Sequence, residues 1–220
     1  MIIKNSQQDI HIVEDESTTT LGYRLSGGTD SAIVGYMLSK FVVEERPDIK
    51  IMPITITLAG KQYQLIYAKR ILEFLKNEFG DIFVEHQTSH VSQLDKYVSS
   101  LNALVDETRA NTQAKIIYSG ITSNPPKKIY KQWLPHTGPS DNRNGKRFCT
   151  KNRLARYPLV DIDKKGIAEL YNTLGVIDTL FPITRSCEAW EKDEKNYNIE
   201  KHCEKCWWCR ERYWGFGRYK

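Results

Sequence analysis

A chain of 220 residues is long enough for one medium domain with a full core, or for a domain with a small appendage. Its apolar share of 40% and charged share of 27% are ordinary for a soluble globular protein. No apolar run reaches the roughly 20 residues of a membrane helix, and Met1 to Ser6 turns polar at once, so the expectation is a cytoplasmic protein without a visible secretory signal.

Residues 1 to 18 are polar and weakly patterned, either a flexible arm or an edge strand. Thr20 to Leu25 is predicted as a strand, though a poor one, since it contains Gly22 and Arg24. Ser31 to Glu45 carries Ile33, Val34, Met37, Leu38, Phe41 and Val42 at helical spacing. Ile49 to Thr57 is rich in Ile and Thr and reads as a buried strand. Tyr63 to Phe79 is a second helix, and Gly80 is its natural stop. A short strand is expected at Ile82 to Glu85, a third helix from Val91 to Val105, and a strand at Lys115 to Ser119.

This alternation predicts an α/β fold, a Rossmann-like parallel sheet with helices on both faces. Ligands in such sheets sit at the carboxyl ends of the strands. After Gly120 the pattern dissolves into a proline- and glycine-bearing stretch to about residue 156. Between Lys127 and Arg156 stand nine basic residues, Lys127, Lys128, Lys131, Arg143, Lys146, Arg147, Lys151, Arg153 and Arg156, against Asp141 alone. Such a stretch suits phosphates, an acidic substrate or nucleic acid, or else it is a solvated surface loop. Asp163 reads as the N-cap of a helix from Lys164 to Leu174 that Gly175 ends. The expected division is an arm over 1–18, a nucleotide domain over 19–180 with the basic loop at 121–156, and a cysteine-bearing module over 181–220.

Ser26-Gly27-Gly28-Thr29-Asp30-Ser31 falls between the first strand and the first helix. Gly27 and Gly28 let the backbone turn sharply and approach a ligand. Their N–H groups, with those of the following helix start, make an anion-binding concavity. Ser26, Thr29 and Ser31 add hydroxyls, and Asp30 fits a helix cap or a magnesium ligand. The loop is neither GxxxxGK[ST] nor GxGxxG. It resembles the SGGxDS signature of the PP-loop ATP pyrophosphatases. That resemblance implies an adenine nucleotide alpha hydrolase-like fold and an ATP site. The β- and γ-phosphates lie in the loop and Mg2+ on the phosphates. A substrate oxygen attacks the α-phosphate to release pyrophosphate, and adenine lies against Ile54 to Thr57.

The chain has five cysteines. In a reducing compartment, clustered cysteines bind metal more often than they form disulfides. Cys203, Cys206 and Cys209 form a C-x2-C-x2-C run, and Cys187 lies sixteen residues upstream of it. The set suits a closed four-cysteine Zn2+ site or an iron–sulfur cluster. Lys201, Lys205, Arg210 and Arg212 are near in sequence to offset thiolate charge, and His202 is a possible substitute ligand for Cys187. Cys149 stands apart in the basic loop, either a buried thiol or a substrate-side group. Trp207, Trp208, Tyr213, Trp214, Phe216 and Tyr219 crowd the tail, as a small core or as a stacking surface for bases.

Both motifs together, with Pro158 to Lys164, Leu174-Gly175-Val176, Thr184 to Cys187 and His202 to Arg212, are similar to the 7-cyano-7-deazaguanine synthase family. The resemblance implies a ligase-type enzyme that adenylates the carboxylate of 7-carboxy-7-deazaguanine. Ammonia then makes the amide, and a second ATP takes it to the nitrile, for queuosine or 7-deazaguanine nucleic-acid modification. It places Lys164 near the phosphates or the adenylate, and such enzymes often form homodimers. The family's substrate-pocket string has only a loose counterpart in Pro139 to Cys149. Two other readings stand beside this one. One is a tRNA-modifying adenylase or thiolase. The other is a non-catalytic nucleic-acid-binding or defence module on the same scaffold.

Overall fold

The computed structural model describes residues 1–14, 16–92, 103, 106–107, 110–134, 155–188 and 198–220. The chain opens with β1 (Ile2–Ile3) and β2 (Ile10–His11), an antiparallel pair outside the main sheet. Residues 1 to 14 are therefore neither a free arm nor an edge of the main sheet. Ile3, Ile10 and Ile12 are buried in the main core. The intervening polar residues reach forward to a later helix: Asn5 Nδ2 donates to the Gly166 carbonyl (2.8 Å), and the Ser6 N–H to Glu169 (2.7 Å). Alternation was weak because this segment buries single isoleucines between polar anchors.

The main sheet holds β3 (Thr20–Arg24), β4 (Lys50–Leu58), β5 (Gln87–Val91), β6 (Ile116–Tyr118) and β7 (Ala155–Arg156). All pairings are parallel, in the order β5-β4-β3-β6-β7. The chain works outward from β3 through β4 to β5, then returns to place β6 on the other side of β3. The strand order reverses there, which opens a crevice at the carboxyl ends of β3 and β6. β3 is central despite Gly22. A Cβ at that position would stand 2.3 Å from Ile117 Cδ1 of β6, so the glycine makes room for the neighbouring strand.

Helix α1 (Thr29–Glu45) follows β3, and α2 (Tyr63–Phe79) follows β4 with the bounds its periodicity predicts. Gly80 ends α2 at φ +77°, where a left-handed residue releases the chain. The strand expected at Ile82 to Glu85 is a single bridge, Ile51 to Phe83, and the true strand is β5, which starts five residues later. Val91 closes that strand instead of opening a helix, and most of the expected third helix lies outside the described residues. β5 is the outermost strand on its side, with alternating exposure, so Gln-Thr-Ser-His-Val carries little apolar signal.

Helix α3 (Lys127–Tyr130) is one turn long. Helix α4 (Lys164–Thr173) begins where Asp163 caps it, its carboxylate accepting from the Lys165 N–H at 2.9 Å and the Gly166 N–H at 3.4 Å. Gly175, at φ +70°, follows its end. A short 3-10 turn (Phe181–Ile183) leads to α5 (Trp207–Phe216), which packs on α4. The crossing is tight: a Cβ at Gly215 would lie 2.6 Å from Lys164 Cβ. No described helix is long and apolar enough to cross a membrane.

Candidate functional site

β3 delivers the chain to the reversal point, and two bonds pin its exit. The Leu25 N–H donates to the Ile54 carbonyl (2.8 Å), and Thr55 Oγ1 donates to the Leu25 carbonyl (2.6 Å). Gly27 then takes φ +84°. A Cβ there would stand 2.8 Å from Tyr67 Cβ, so only glycine lets the loop pass under α2. Ser31 Oγ closes the loop, accepting from the Ser26 N–H (3.2 Å) and donating to the Gly28 carbonyl (3.1 Å). Gly28 is the N-cap of α1 and brings no side-chain cap, so the first-turn amides face outward at the positive end of the helix. Ser26 is exposed, while Thr29 and Ser31 are buried.

Asp30 is not the cap; it sits in the first turn and is ion-paired with Lys164. Lys164 is only 3% exposed and also lies 4.0 Å from Glu211, a fully buried carboxylate on α5. The ammonium is thus held between two carboxylates. Its neighbour on α4, Tyr171, donates its hydroxyl to the Thr29 carbonyl (2.9 Å). From the other side of the reversal, Gly120 presses on the same turn: a Cβ would lie 2.6 Å from the Asp30 carbonyl carbon. Thr57 is engaged within the sheet, its hydroxyl 3.0 Å from His90 Nδ1 and 3.3 Å from the Ser89 carbonyl.

Cys187, Cys203, Cys206 and Cys209 converge, every Sγ within 4.8 Å of the others. Cys203 and Cys209 are 3.9 Å apart, close to the ~3.8 Å that four thiolates take around one tetrahedral zinc at ~2.3 Å. The Cys203 N–H points at Cys187 Sγ (3.3 Å) and the Cys206 N–H at Cys203 Sγ (3.4 Å), as expected for sulfurs carrying negative charge. Glu204 adopts φ +61° to make that tight knuckle. The donor set therefore fits a metal. His202 stands outside the set and stacks on Tyr219 (5.6 Å), and burial beside Arg212 and Arg185 pushes its pKa down to about 3.

Of the four cations expected beside the thiols, Arg212 alone is buried, and Lys61 joins it unexpectedly. Lys201, Lys205 and Arg210 are exposed. Arg212 is fully buried, and Lys61, 9% exposed, is ion-paired with Glu188. Burial pushes the Lys61 ammonium down to about 8, while Cys206 and Cys187 favour its charged form.

The two sites share one segment. Arg185 donates its N–H to the Gly27 carbonyl (2.8 Å), and the Ser186 and Thr29 hydroxyls are 3.4 Å apart. The Arg185 guanidinium lies 4.9 Å over the Tyr63 ring and donates to the carbonyls of Ile199 (2.8 Å) and Lys201 (2.5 Å). Arg212 donates to Thr184 Oγ1 (2.9 Å), Ser186 Oγ (3.4 Å) and the carbonyls of Phe181 (3.1 Å) and Tyr219 (2.9 Å). Glu200 joins the group through a paired contact with Arg70 of α2 (2.9 and 2.6 Å).

Sequence reasoning found Ser26 to Ser31, Lys164 and the four cysteines, and the structure gathers them as described. It gave no role to Gly120, Tyr171, Arg185, Ser186 or Glu211; the last three carried signal only as members of the stretches Thr184 to Cys187 and His202 to Arg212. Lys127, Lys128 and Lys131 are exposed, and Arg156 pairs with Glu14 at 3.2 Å. Arg143, Lys146, Arg147, Lys151, Arg153, Asp141 and Cys149 lie outside the described residues. The tail aromatics divide: Trp207 packs edge-on to Tyr130 (5.5 Å) and Trp133 (5.3 Å), and Phe216 stacks on Phe181 (4.2 Å).

Comparison with known proteins gives no matching family model and no matching curated protein. Among solved structures, the chain is similar to the U34-tRNA thiolase NcsA from Methanococcus maripaludis with its 4Fe-4S cluster. The TM-score is 0.49 at 13% identity, over 89% of this chain and 64% of that one. It is similar also to the NAD+ synthetase from Burkholderia pseudomallei, with TM-score 0.37 and 14% identity over 74% of this chain and 62% of that one. Both likenesses are distant, and the chain spans less than two thirds of the length of either protein.

Proposed function

We propose that this chain is an ATP-dependent adenylating enzyme of the PP-loop type. The observation that carries it is the Ser26 to Ser31 loop at the strand-order reversal, with Asp30 of the first turn of α1 held by Lys164. The amides at the start of α1 and the Ser26 hydroxyl bind the terminal phosphates. Asp30 is the residue that would hold magnesium, which neutralises phosphate charge when bound. Lys164 supplies positive charge where the α-phosphate is attacked. Thr57 and the end of β4 face the adenine.

The resemblance to 7-cyano-7-deazaguanine synthases extends the proposal to the substrate. A carboxylate oxygen of 7-carboxy-7-deazaguanine attacks the α-phosphorus and pyrophosphate leaves. Ammonia displaces AMP to give the amide. A second adenylation, on the amide oxygen, followed by loss of AMP gives the nitrile. The four cysteines would hold zinc, because a four-iron cluster sits between its thiolates and holds them further apart than a single ion does.

The test is purified protein with 7-carboxy-7-deazaguanine, ammonium and Mg-ATP. AMP, pyrophosphate and the nitrile are the expected products. AMP formation on another acid would remove the deazapurine and keep the adenylation. No AMP on any carboxylate, from folded protein that binds ATP, would overturn the reading.

A further inference from the structure

Helix α5 uses Trp207 and Phe216 for packing but leaves other rings at the surface. Trp133, Tyr213, Trp214 and Tyr219 line an open groove of about 590 Å³, with Arg210 and Glu204 on its wall. Trp214 meets Trp133 edge-on at 6.4 Å, and Tyr213 tilts on Tyr219 at 5.3 Å. Tyr213 is 54% exposed, a large ring left in water. The Lys165 ammonium stands 5.2 Å over the Trp214 ring. Lys127, Lys128 and Lys131 are exposed on α3 and the turn that leads into Trp133, and Lys205 is exposed on the cysteine knuckle beside Glu204.

We infer that this groove is a stacking site for a single strand of nucleic acid. Flat rings offer faces to unpaired bases, and the lysines and Arg210 meet the phosphates between them. The charge decides between occupants. An apolar peptide has no use for the cations around these rings. An acidic peptide would satisfy the cations and leave the rings idle. A double helix keeps its bases stacked on each other, out of reach of Trp214 and Tyr213. Among the described lining residues Glu204 is the one acid, and the exposed Lys205 follows it in the chain. The inference does not rest on the adenylation reading, and its test contains no ATP.

The experiment is fluorescence anisotropy with the metal-loaded full chain and end-labelled oligouridylate or oligothymidylate. A length of about a dozen nucleotides covers a site of the usual size. Saturable binding that weakens steeply as salt rises is expected, with quenching of tryptophan fluorescence. Tyr213→Ala and Arg210→Ala should each weaken binding roughly tenfold while leaving the melting temperature and metal content unchanged. Trp214→Phe keeps the packing and should reduce the quenching to what Trp133 contributes. A preference for one of the two oligonucleotides would tell RNA from DNA within the inference. Three results would overturn it. One is no saturable binding at low salt. Another is binding that neither Tyr213→Ala nor Arg210→Ala alters. The third is an acidic peptide that competes as well as the oligonucleotide.

Discussion

The N–H of Arg185 donates to the Gly27 carbonyl across 2.8 Å, so the glycine loop is tied to a residue two positions before the first cysteine of the four-thiol set. Ser186 repeats the link on Thr29, and Arg212 braces both Thr184 and Ser186. Removing metal should therefore loosen the loop as well as the module. Treatment with a chelator, or Cys203→Ser, should lower the melting temperature by roughly 10 °C, the shift a loss of about 3 kcal/mol makes in a chain of this size. ATP affinity, measured by calorimetry below the new melting point, should fall with it. Unchanged ATP affinity in metal-free, folded protein would show that the link is mechanically idle.

Lys164 is buried between Asp30 and Glu211. Lys164→Ala removes the cation and leaves the buried Glu211 and the part-buried Asp30 without it. The expected cost is about 3 kcal/mol, the usual penalty for breaking a buried ion pair. Lys164→Arg keeps the charge, but a planar fork does not reproduce the compact ammonium held between Asp30 and Glu211. It should fold better than the alanine variant and still lose AMP formation. Denaturant titration separates the two effects from turnover. A Lys164→Ala variant with full AMP formation would remove this residue from the chemistry.

His86 makes stability depend on pH. Thr55 Oγ1 gives its one proton to the Leu25 carbonyl, so its contact with His86 Nε2 (2.8 Å) is a bond that the imidazole donates. Burial, with Lys69 and Lys76 nearby, pushes the His86 pKa down from 6.5 to about 4. Above pH ~6.5 both folded and unfolded chains hold this ring neutral. Below it the unfolded chain takes up a proton that the folded one refuses until about 4, so stability is lost across that interval as pH falls. Thermal melts at pH 7 and pH 5 should show a larger drop for the wild type than for His86→Gln. Equal drops would assign the acid sensitivity elsewhere.

Much of this site is legible before folding, and what is hidden has physical causes. The glycine loop is readable because Gly27 and Gly28 are required by backbone conformation and close approach. Helix α2 is readable because one of its faces is apolar, and the Asp163 cap because it works through its own neighbours. The thiols are readable because metal ligands keep short spacings. β3 reads poorly because its centre needs Gly22 to admit Ile117. β5 reads poorly because an outer strand has one wet face. The Arg185–Gly27 link is invisible because a backbone hydrogen bond can be made by any residue except proline. Arg212 is expected beside the thiols and Glu211 carries no expectation, yet both are fully buried. Only the fold brings the acceptors of Arg212 together, and its burial pushes even that guanidinium down to about 10.

Gly120 offers the sharpest test of the strand-order reversal as the nucleotide site. It ends the exit from β6 and touches the first turn of α1, where a Cβ would stand 2.6 Å from the Asp30 carbonyl carbon and 2.8 Å from the Ser31 nitrogen. Those atoms are backbone and cannot swing away. Gly120→Ala must therefore push β6 from α1 and shift the amides proposed to face the phosphates. The expected result is a loss of ATP affinity of tenfold or more, with a stability cost of about 1–3 kcal/mol as in other overpacked sites. Gly175→Ala is the matched control. It forces alanine into φ +70°, a strain Gly120→Ala does not add, but nothing lies within 4 Å of the new Cβ. It should cost about 1 kcal/mol of stability and leave ATP affinity alone. Calorimetric titration with ATP and a urea melt on each variant give both readings. If Gly120→Ala and Gly175→Ala lose the same stability and neither loses ATP affinity, the crevice between β3 and β6 is not where the phosphates bind.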